Sequence, residues 1–187
     1  MMKRCIFAVS IAALMLASTS SAHAQAMPAA SRPGLLQAGI TLSDANTDEL
    51  TKRIGGASAY ATFDFSENLG VEFDAHVLTF DTPQDFGEES FLLGHRYVKH
   101  YKDRYDPYVR AQAGIGKTIS QNPYVALGTP GTPGTYGAYA FAGGLDIRIP
   151  YNLSVRAIDY EYQLWPGFKP NGLSPSMVSV GIAYRIR

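Results

Sequence analysis

Hydrophobic and polar residues alternate with a period of two over long stretches of the chain. Leu69 to Phe80 (LGVEFDAHVLTF) sets Leu69, Val71, Phe73, Ala75 and Val77 on one face and Glu72, Asp74 and His76 on the other. Tyr136 to Ile149 sets Tyr139, Phe141, Leu145, Ile147 and Ile149 against Ala138, Ala140, Ala142, Gly144, Asp146 and Arg148. Met177 to Ile186 repeats the pattern through Val178, Val180, Ile182, Tyr184 and Ile186. A helix would scatter the charges of these segments around its circumference, whereas a strand separates them by face. Five further strands are expected at Leu35–Ser43, Ala57–Phe65, Ser90–Tyr101, Pro107–Ile119 and Leu153–Trp165. Most of the eight are about 9–13 residues long, against about 5–6 for an average soluble strand and about 9–11 for a tilted bilayer-crossing strand.

The connections alternate in length. Tight turns are expected at Ser66–Asn68, Lys102–Asp106 and Pro150–Asn152. Longer connections are expected at Asp44–Gly56, Asp81–Glu89, Ser120–Thr135 and Pro166–Gly172. Short periplasmic turns alternating with longer outer loops characterise outer-membrane barrels. The pattern predicts an all-β fold: an eight-stranded antiparallel up-and-down transmembrane β-barrel.

The polarity of the two faces decides which one points inward. The apolar face carries Phe63, Phe65, Val71, Phe73, Tyr97, Tyr139, Phe141, Leu145, Val180, Ile182 and Tyr184, too much bulk for an eight-stranded lumen that side chains just fill. The charged face also carries Gly94, Gly114, Gly144 and Gly181, which relieve crowding inside a narrow barrel. Charges and small residues are therefore expected inside, with bulk outside against lipid. An internal ion-pair network is expected from Glu72, Asp74, Arg96, Arg110, Asp146, Arg148, Arg156, Asp159 and Glu161. Including Asp159 and Glu161 requires a bulge at Ala157-Ile158, where the alternation slips. Asp74 with Arg96 is the expected cross-strand pair. The cluster reads as a structural plug, with a gated ion path as the alternative.

Aromatic girdles are expected at both interfaces: Phe65, Tyr101, Tyr105, Tyr108 and Tyr151 at the short-turn ends, and Phe80, Phe91, Tyr136 and Trp165 at the long-loop ends. Lys99 and Lys117 fall on the outward phase near strand ends, where they can snorkel. His95 also falls on the outward phase, nearer mid-strand, and is expected to be neutral or to lie out of this register.

The amino terminus changes the picture of the compartment. Lys3 and Arg4, the apolar run Cys5–Ala17 and the small-residue stretch ending Ala22-His23-Ala24 read as a signal peptide cleaved after Ala24. The run is too short to cross a bilayer as a helix. Residues 25–34 read as a flexible lead-in, and residues 35–187 as the barrel domain. Cleavage removes the one cysteine and two basic residues, leaving 14 basic and 16 acidic residues and a net charge of -2. No disulfide then contributes, and no basic surplus is left for a nucleic acid. The composition alone, 46% hydrophobic with a mean hydropathy of -0.07, looks like a soluble domain because it averages an apolar wall with a charged interior.

Candidate chemistry is sparse. His76 and His95 fall on opposite phases, so a shared metal site with His100 is not expected. Gly55-Gly56 and Gly143-Gly144 do not open a phosphate-binding loop. The run Gly128–Thr135 (GTPGTPGT) reads as a low-complexity surface loop. No catalytic, cofactor or metal residue is assigned.

The signal peptide ending AHA-Q, the eight amphipathic strands and the last strand SVSVGIAYRIR together resemble the outer-membrane protein beta-barrel family, the small OmpA- and OmpX-like barrels. The resemblance covers Leu35 to Arg187 and is one of pattern, so it speaks to fold more than to activity. It implies the outer membrane of a Gram-negative bacterium, and contact with membrane lipid and lipopolysaccharide. It implies insertion by the barrel-assembly machinery, which reads a terminal aromatic residue; the final Arg187 departs from that signal. The chain ends with the barrel, so the cell-wall tethering of longer family members is not expected. A monomeric structural or surface-interaction barrel, meeting its ligand through loops 44–56 and 120–135, is the leading expectation. A lipid-modifying enzyme or small-solute channel is the alternative, although no His-x-Ser element of the lipid A-trimming kind is present. A soluble periplasmic lipocalin-like binder is the third.

Overall fold

The computed structural model describes residues 35–47, 53–80, 86–102, 104–120, 134–168 and 172–186. The signal peptide, the lead-in and Arg187 lie outside them. Eight strands follow one another: β1 (Leu35–Asn46), β2 (Ile54–Asp64), β3 (Leu69–Phe80), β4 (Phe86–Val98), β5 (Tyr105–Ser120), β6 (Gly134–Ile149), β7 (Leu153–Leu164) and β8 (Ser176–Ile186). Each pairs antiparallel with the next, and β1 pairs with β8 to close the barrel. Closure leaves no edge strand and satisfies the backbone within the sheet, as hydrocarbon requires.

The number of strands and their order agree with the period-two reading, but several ends differ. β1 runs on to Asn46 and β2 starts at Ile54, so the expected loop 44–56 shrinks to 47–53. The expected loop 120–135 likewise shrinks to 121–133, and 81–89 to 81–85. Glycine and polar residues at these ends look like loop punctuation. They continue the ladder because the alternation holds through them: Ala45 and Ile54 turn inward into an apolar cluster while Asp44 and Asn46 stay exposed, and Glu88 turns inward on β4. Of the shortened loops, residues 48–52, 81–85 and 121–133 lie outside the described residues.

Burial alternates along each strand. In β3 the inward Gly70, Glu72, Asp74, His76 and Leu78 are buried, while Leu69, Phe73 and Val77 are exposed. Ile40, Val109, Phe141, Ile158 and Tyr184 lie exposed on the outer wall. The inverted arrangement expected from packing is therefore present. At β7 the register slips: Leu145 pairs with Ile158 while Asp146 pairs with Arg156, which leaves Ala157 as the bulged residue. The slip turns Asp159, Glu161 and Gln163 inward and Ile158, Tyr160, Tyr162 and Leu164 outward.

Four residues sit differently from the sequence reading. Tyr136, expected in the long-loop girdle, packs inward against Trp165 and Phe168. His95 keeps the outward phase, opposite Val71 and Ala111, but lies three residues from the end of β4 rather than mid-strand, because β4 ends at Val98. Tyr108 and Trp165 are not girdle residues. Both are buried in the lumen, because Tyr108 shares its phase with Arg110 and Trp165 shares its phase with Gln163. Phe65, Tyr101, Tyr105 and Tyr151 remain exposed at the short-turn end, and Phe80 and Phe91 on the outer half of the wall.

Candidate functional site

The lumen holds a middle layer, an outer layer toward the long loops and, at the short-turn end, the Asp106–Arg148 pair. The middle layer is ionic. Glu72 on β3 is its hub: it accepts both Nη1 and Nη2 of Arg156 at 3.0 and 3.1 Å, Thr62 Oγ1 at 2.9 Å and the Nη1 of Arg110. Arg96 Nε lies 3.5 Å from the same carboxylate. Arg110 also donates from Nη2 to Asp159 at 2.8 Å and to Glu161 at 2.5 Å. Asp146 accepts Arg96 Nη2 at 2.6 Å and Arg156 Nε at 3.1 Å.

Two tyrosines complete this layer. The Tyr108 hydroxyl donates to Asp159 at 2.7 Å, and its ring lies 4.5 Å from the guanidinium carbon of Arg96 and 4.8 Å from that of Arg156. Tyr60 stacks beneath Arg156 at 3.7 Å. Planar guanidinium groups suit both bidentate carboxylates and aromatic faces, which is why arginine rather than lysine fills this space. The arginines and carboxylates of the layer are nearly fully buried. Buried charge of this kind is tolerated only when paired on several sides.

Of the nine residues expected to form the network, eight meet here. Arg148 does not. Two residues further along β6 than Asp146, it binds Asp106 at the short-turn end (Nε to Oδ2 2.5 Å, Nη2 to Oδ1 2.7 Å). His100 Nδ1 lies 2.7 Å from the same carboxylate. The expected Asp74–Arg96 pair is also absent. Gly70 stands opposite Arg96 and Leu92 opposite Asp74, so the two are offset along the strands. Arg96 instead reaches Glu72, Asp146 and, at 3.8 Å, Asp64. Asp74 accepts Gln112 Nε2 at 2.6 Å and lies 3.7 Å from Arg110.

The outer layer is mainly apolar, with the buried Glu88 and Thr118 facing inward beside it. Trp165, Phe168, Leu173, Leu92, Ala138 and Ala140 form one buried cluster, with Tyr136 packed against it. Ala45, Ile54, Leu78 and Met177 form a second at the long-loop ends of β1, β2, β3 and β8. Gly116 makes room for the tryptophan: a Cβ there would stand 2.4 Å from the Trp165 ring. A polar chain links the layers, since Trp165 Nε1 donates to Gln163 at 2.8 Å and Gln163 donates to Glu161 at 2.6 Å.

Tyr60, Tyr108, Trp165 and Thr62 are participants that the sequence reading missed. Strand phase was the signal that could have found them, since each falls on the inward face. The histidines lie apart: His76 is buried beside Glu161 (3.6 Å) and Asp74 (4.0 Å), His95 faces outward, and His100 lies at the rim. Among the described residues no group of three or more histidine, cysteine or acidic side chains is arranged to hold a metal ion. Among the described residues the arrangement fills space and pairs three arginines with five carboxylates.

The sequence model of the outer membrane protein beta-barrel domain matches residues 10–185. No curated protein sequence matches the chain. Solved structures similar in fold include Neisserial surface protein A (TM-score 0.63, 15% identity, 82% of this chain and 97% of that one). The attachment invasion locus protein Ail of Yersinia pestis, solved with the heparin analogue sucrose octasulfate, is similar at TM-score 0.56 and 18% identity (82% and 99% covered). The outer membrane protein OprG of Pseudomonas aeruginosa is similar at TM-score 0.56 and 11% identity (82% and 96%).

Proposed function

The chain belongs to the outer membrane protein beta-barrel family, and from that premise we propose that it is a non-enzymatic, non-conducting surface barrel whose outer loops meet a partner. The observation that carries this reading is the filled lumen: a network centred on Glu72, Arg110 and Arg156, with two apolar clusters on its outer side. Such a scaffold is rigid, and rigid scaffolds carry binding in their loops. Residues 1–24 direct export and are cleaved, the barrel-assembly machinery inserts the chain, and the barrel is a monomer in contact with phospholipid and lipopolysaccharide.

The loops suggest the chemistry of the partner. Residues 47–53 and 81–85 carry Asp48, Glu49, Asp81 and Asp85 against Lys52 and Arg53, and residues 121–133 carry no charge. A polysulfated ligand such as the heparin analogue bound to Ail would find no basic surplus in these loops, so the fitting partner is a protein or a neutral glycan.

The test replaces residues 48–52 and 121–133 by short turns in the producing bacterium. The expected result is a barrel still folded by heat-modifiable gel mobility, loss of cell-surface binding, and lipid A unchanged in a deletion strain. Altered lipid A in that strain would favour the enzyme, and a loop-deleted barrel that loses no surface interaction would overturn the reading.

A further inference from the structure

The two rims of the barrel set their cations against different neighbours. At the long-loop rim Arg53 donates from Nε to Asp44 at 2.7 Å, and Lys117 stands opposite Glu89 across β4 and β5. At the short-turn rim Lys99, Lys102 and Arg104 are exposed, and none of them has an ion-pair partner among the described residues. Lys102 Nζ lies 5.3 Å over the ring of Tyr101. Of the acidic residues at this rim, Asp106 is already held by Arg148 and His100, and the three cations outnumber Asp103, which lies between Lys102 and Arg104 in sequence, and the exposed Glu67 of the β2–β3 turn.

Exposed tyrosines accompany these cations. Tyr101 and Tyr105 flank the β4–β5 turn, and Tyr151 at the β6–β7 turn is 90% exposed. Tyr151 and Asn152 have φ of 64° and 60°. Two consecutive left-handed residues make the turn that suits antiparallel strands, and Asn or Gly normally supplies them. A bulky side chain at positive φ is an outlier. Nothing inside the barrel uses the Tyr151 ring, so packing does not explain why an aromatic residue occupies this position. A tyrosine with an apolar body and a wet tip is instead suited to the level of lipid headgroups.

We propose that the short-turn rim docks anionic phospholipid headgroups, with Lys99, Lys102 and Arg104 taking the phosphates and Tyr101, Tyr105 and Tyr151 seated between the headgroups. The proposal rests on the outer-membrane reading, in which short turns face the periplasmic, phospholipid leaflet. Charge complementarity selects the occupant: each basic residue near an anionic membrane surface is worth about a fivefold change in binding. The aromatic ring selects a bilayer over a soluble anion, because it needs an apolar neighbour.

The test takes the barrel from vesicles of equal phosphatidylcholine and phosphatidylglycerol into mild detergent and counts retained lipids by native mass spectrometry. The expected result is retention of phosphatidylglycerol over phosphatidylcholine, reduced about fivefold or more in the triple variant Lys99→Gln, Lys102→Gln, Arg104→Gln. Lys99→Arg with Lys102→Arg keeps the preference, and so does Arg53→Gln with Lys117→Gln at the other rim. Tyr151→Asn, which suits the turn, keeps the fold and lowers retention. A triple variant with an unchanged lipid ratio would overturn the proposal, as would displacement of the lipid by inorganic phosphate, which would indicate a small-anion site. Gel mobility on the same samples separates the two readings: a chain that never inserts into the vesicles contradicts the outer-membrane reading itself.

Discussion

The middle and the outer mouth of the lumen are filled by opposite means. The middle layer packs three arginines against five carboxylates, with Tyr60 and Tyr108 between them. The outer layer packs Trp165, Phe168, Leu173 and Leu92 into an apolar cluster, and its buried carboxylate, Glu88, stands apart from that cluster opposite Leu78. A buried ion network depends on every partner, since a lost partner strands a charge. An apolar plug loses stability in proportion to the volume removed, and its neighbours can relax into the space. The middle should therefore be brittle, and the mouth should tolerate graded change.

The sharpest way to break this contrast is at the hub. Glu72→Ala leaves Arg110 and Arg156 without their shared carboxylate and should cost about 3–5 kcal/mol. Urea unfolding in detergent, followed by gel mobility, measures it; a loss under 1 kcal/mol would mean that the remaining acids compensate. At the mouth, Gly116→Ala drives a methyl group into the indole and should cost about 1–3 kcal/mol. Trp165 is the single tryptophan, so its emission should shift to the red while the middle layer stays intact; an unmoved spectrum would show that the plug absorbs the methyl group. Tyr108→Phe keeps the ring among the arginines and removes the hydrogen bond to Asp159, costing about 1.5–3 kcal/mol. The smallest effect belongs to the part-buried Arg148 pair at the rim: Arg148→Gln should cost about 1 kcal/mol, since partial exposure screens it. A loss as large as that at Glu72 would make the rim part of the network after all.

The fold was legible because a two-sided wall imposes a period of two, and because a bulge announces itself as a slip of phase. Ala157-Ile158 could be named from the sequence for that reason. The partners inside the lumen were not legible. Which acid meets Arg96 depends on the offset between strands, and that offset placed Glu72 and Asp146 within reach and Asp74 outside it. Arg148 shares the phase of the network but stands one inward position too low to join it. Tyr108 and Trp165 were misplaced because proximity to a strand end suggested an aromatic girdle. Their phase pointed inward, and phase is the stronger constraint when each outward residue must meet lipid.

Single-channel recording in planar bilayers tests the filled lumen most directly. The unmodified barrel, its insertion verified by gel mobility, should give no discrete current steps, whereas Glu72→Ala should raise the current above that baseline. Reproducible ohmic steps from the unmodified barrel would contradict a sealed interior and make the ionic layer a conducting path.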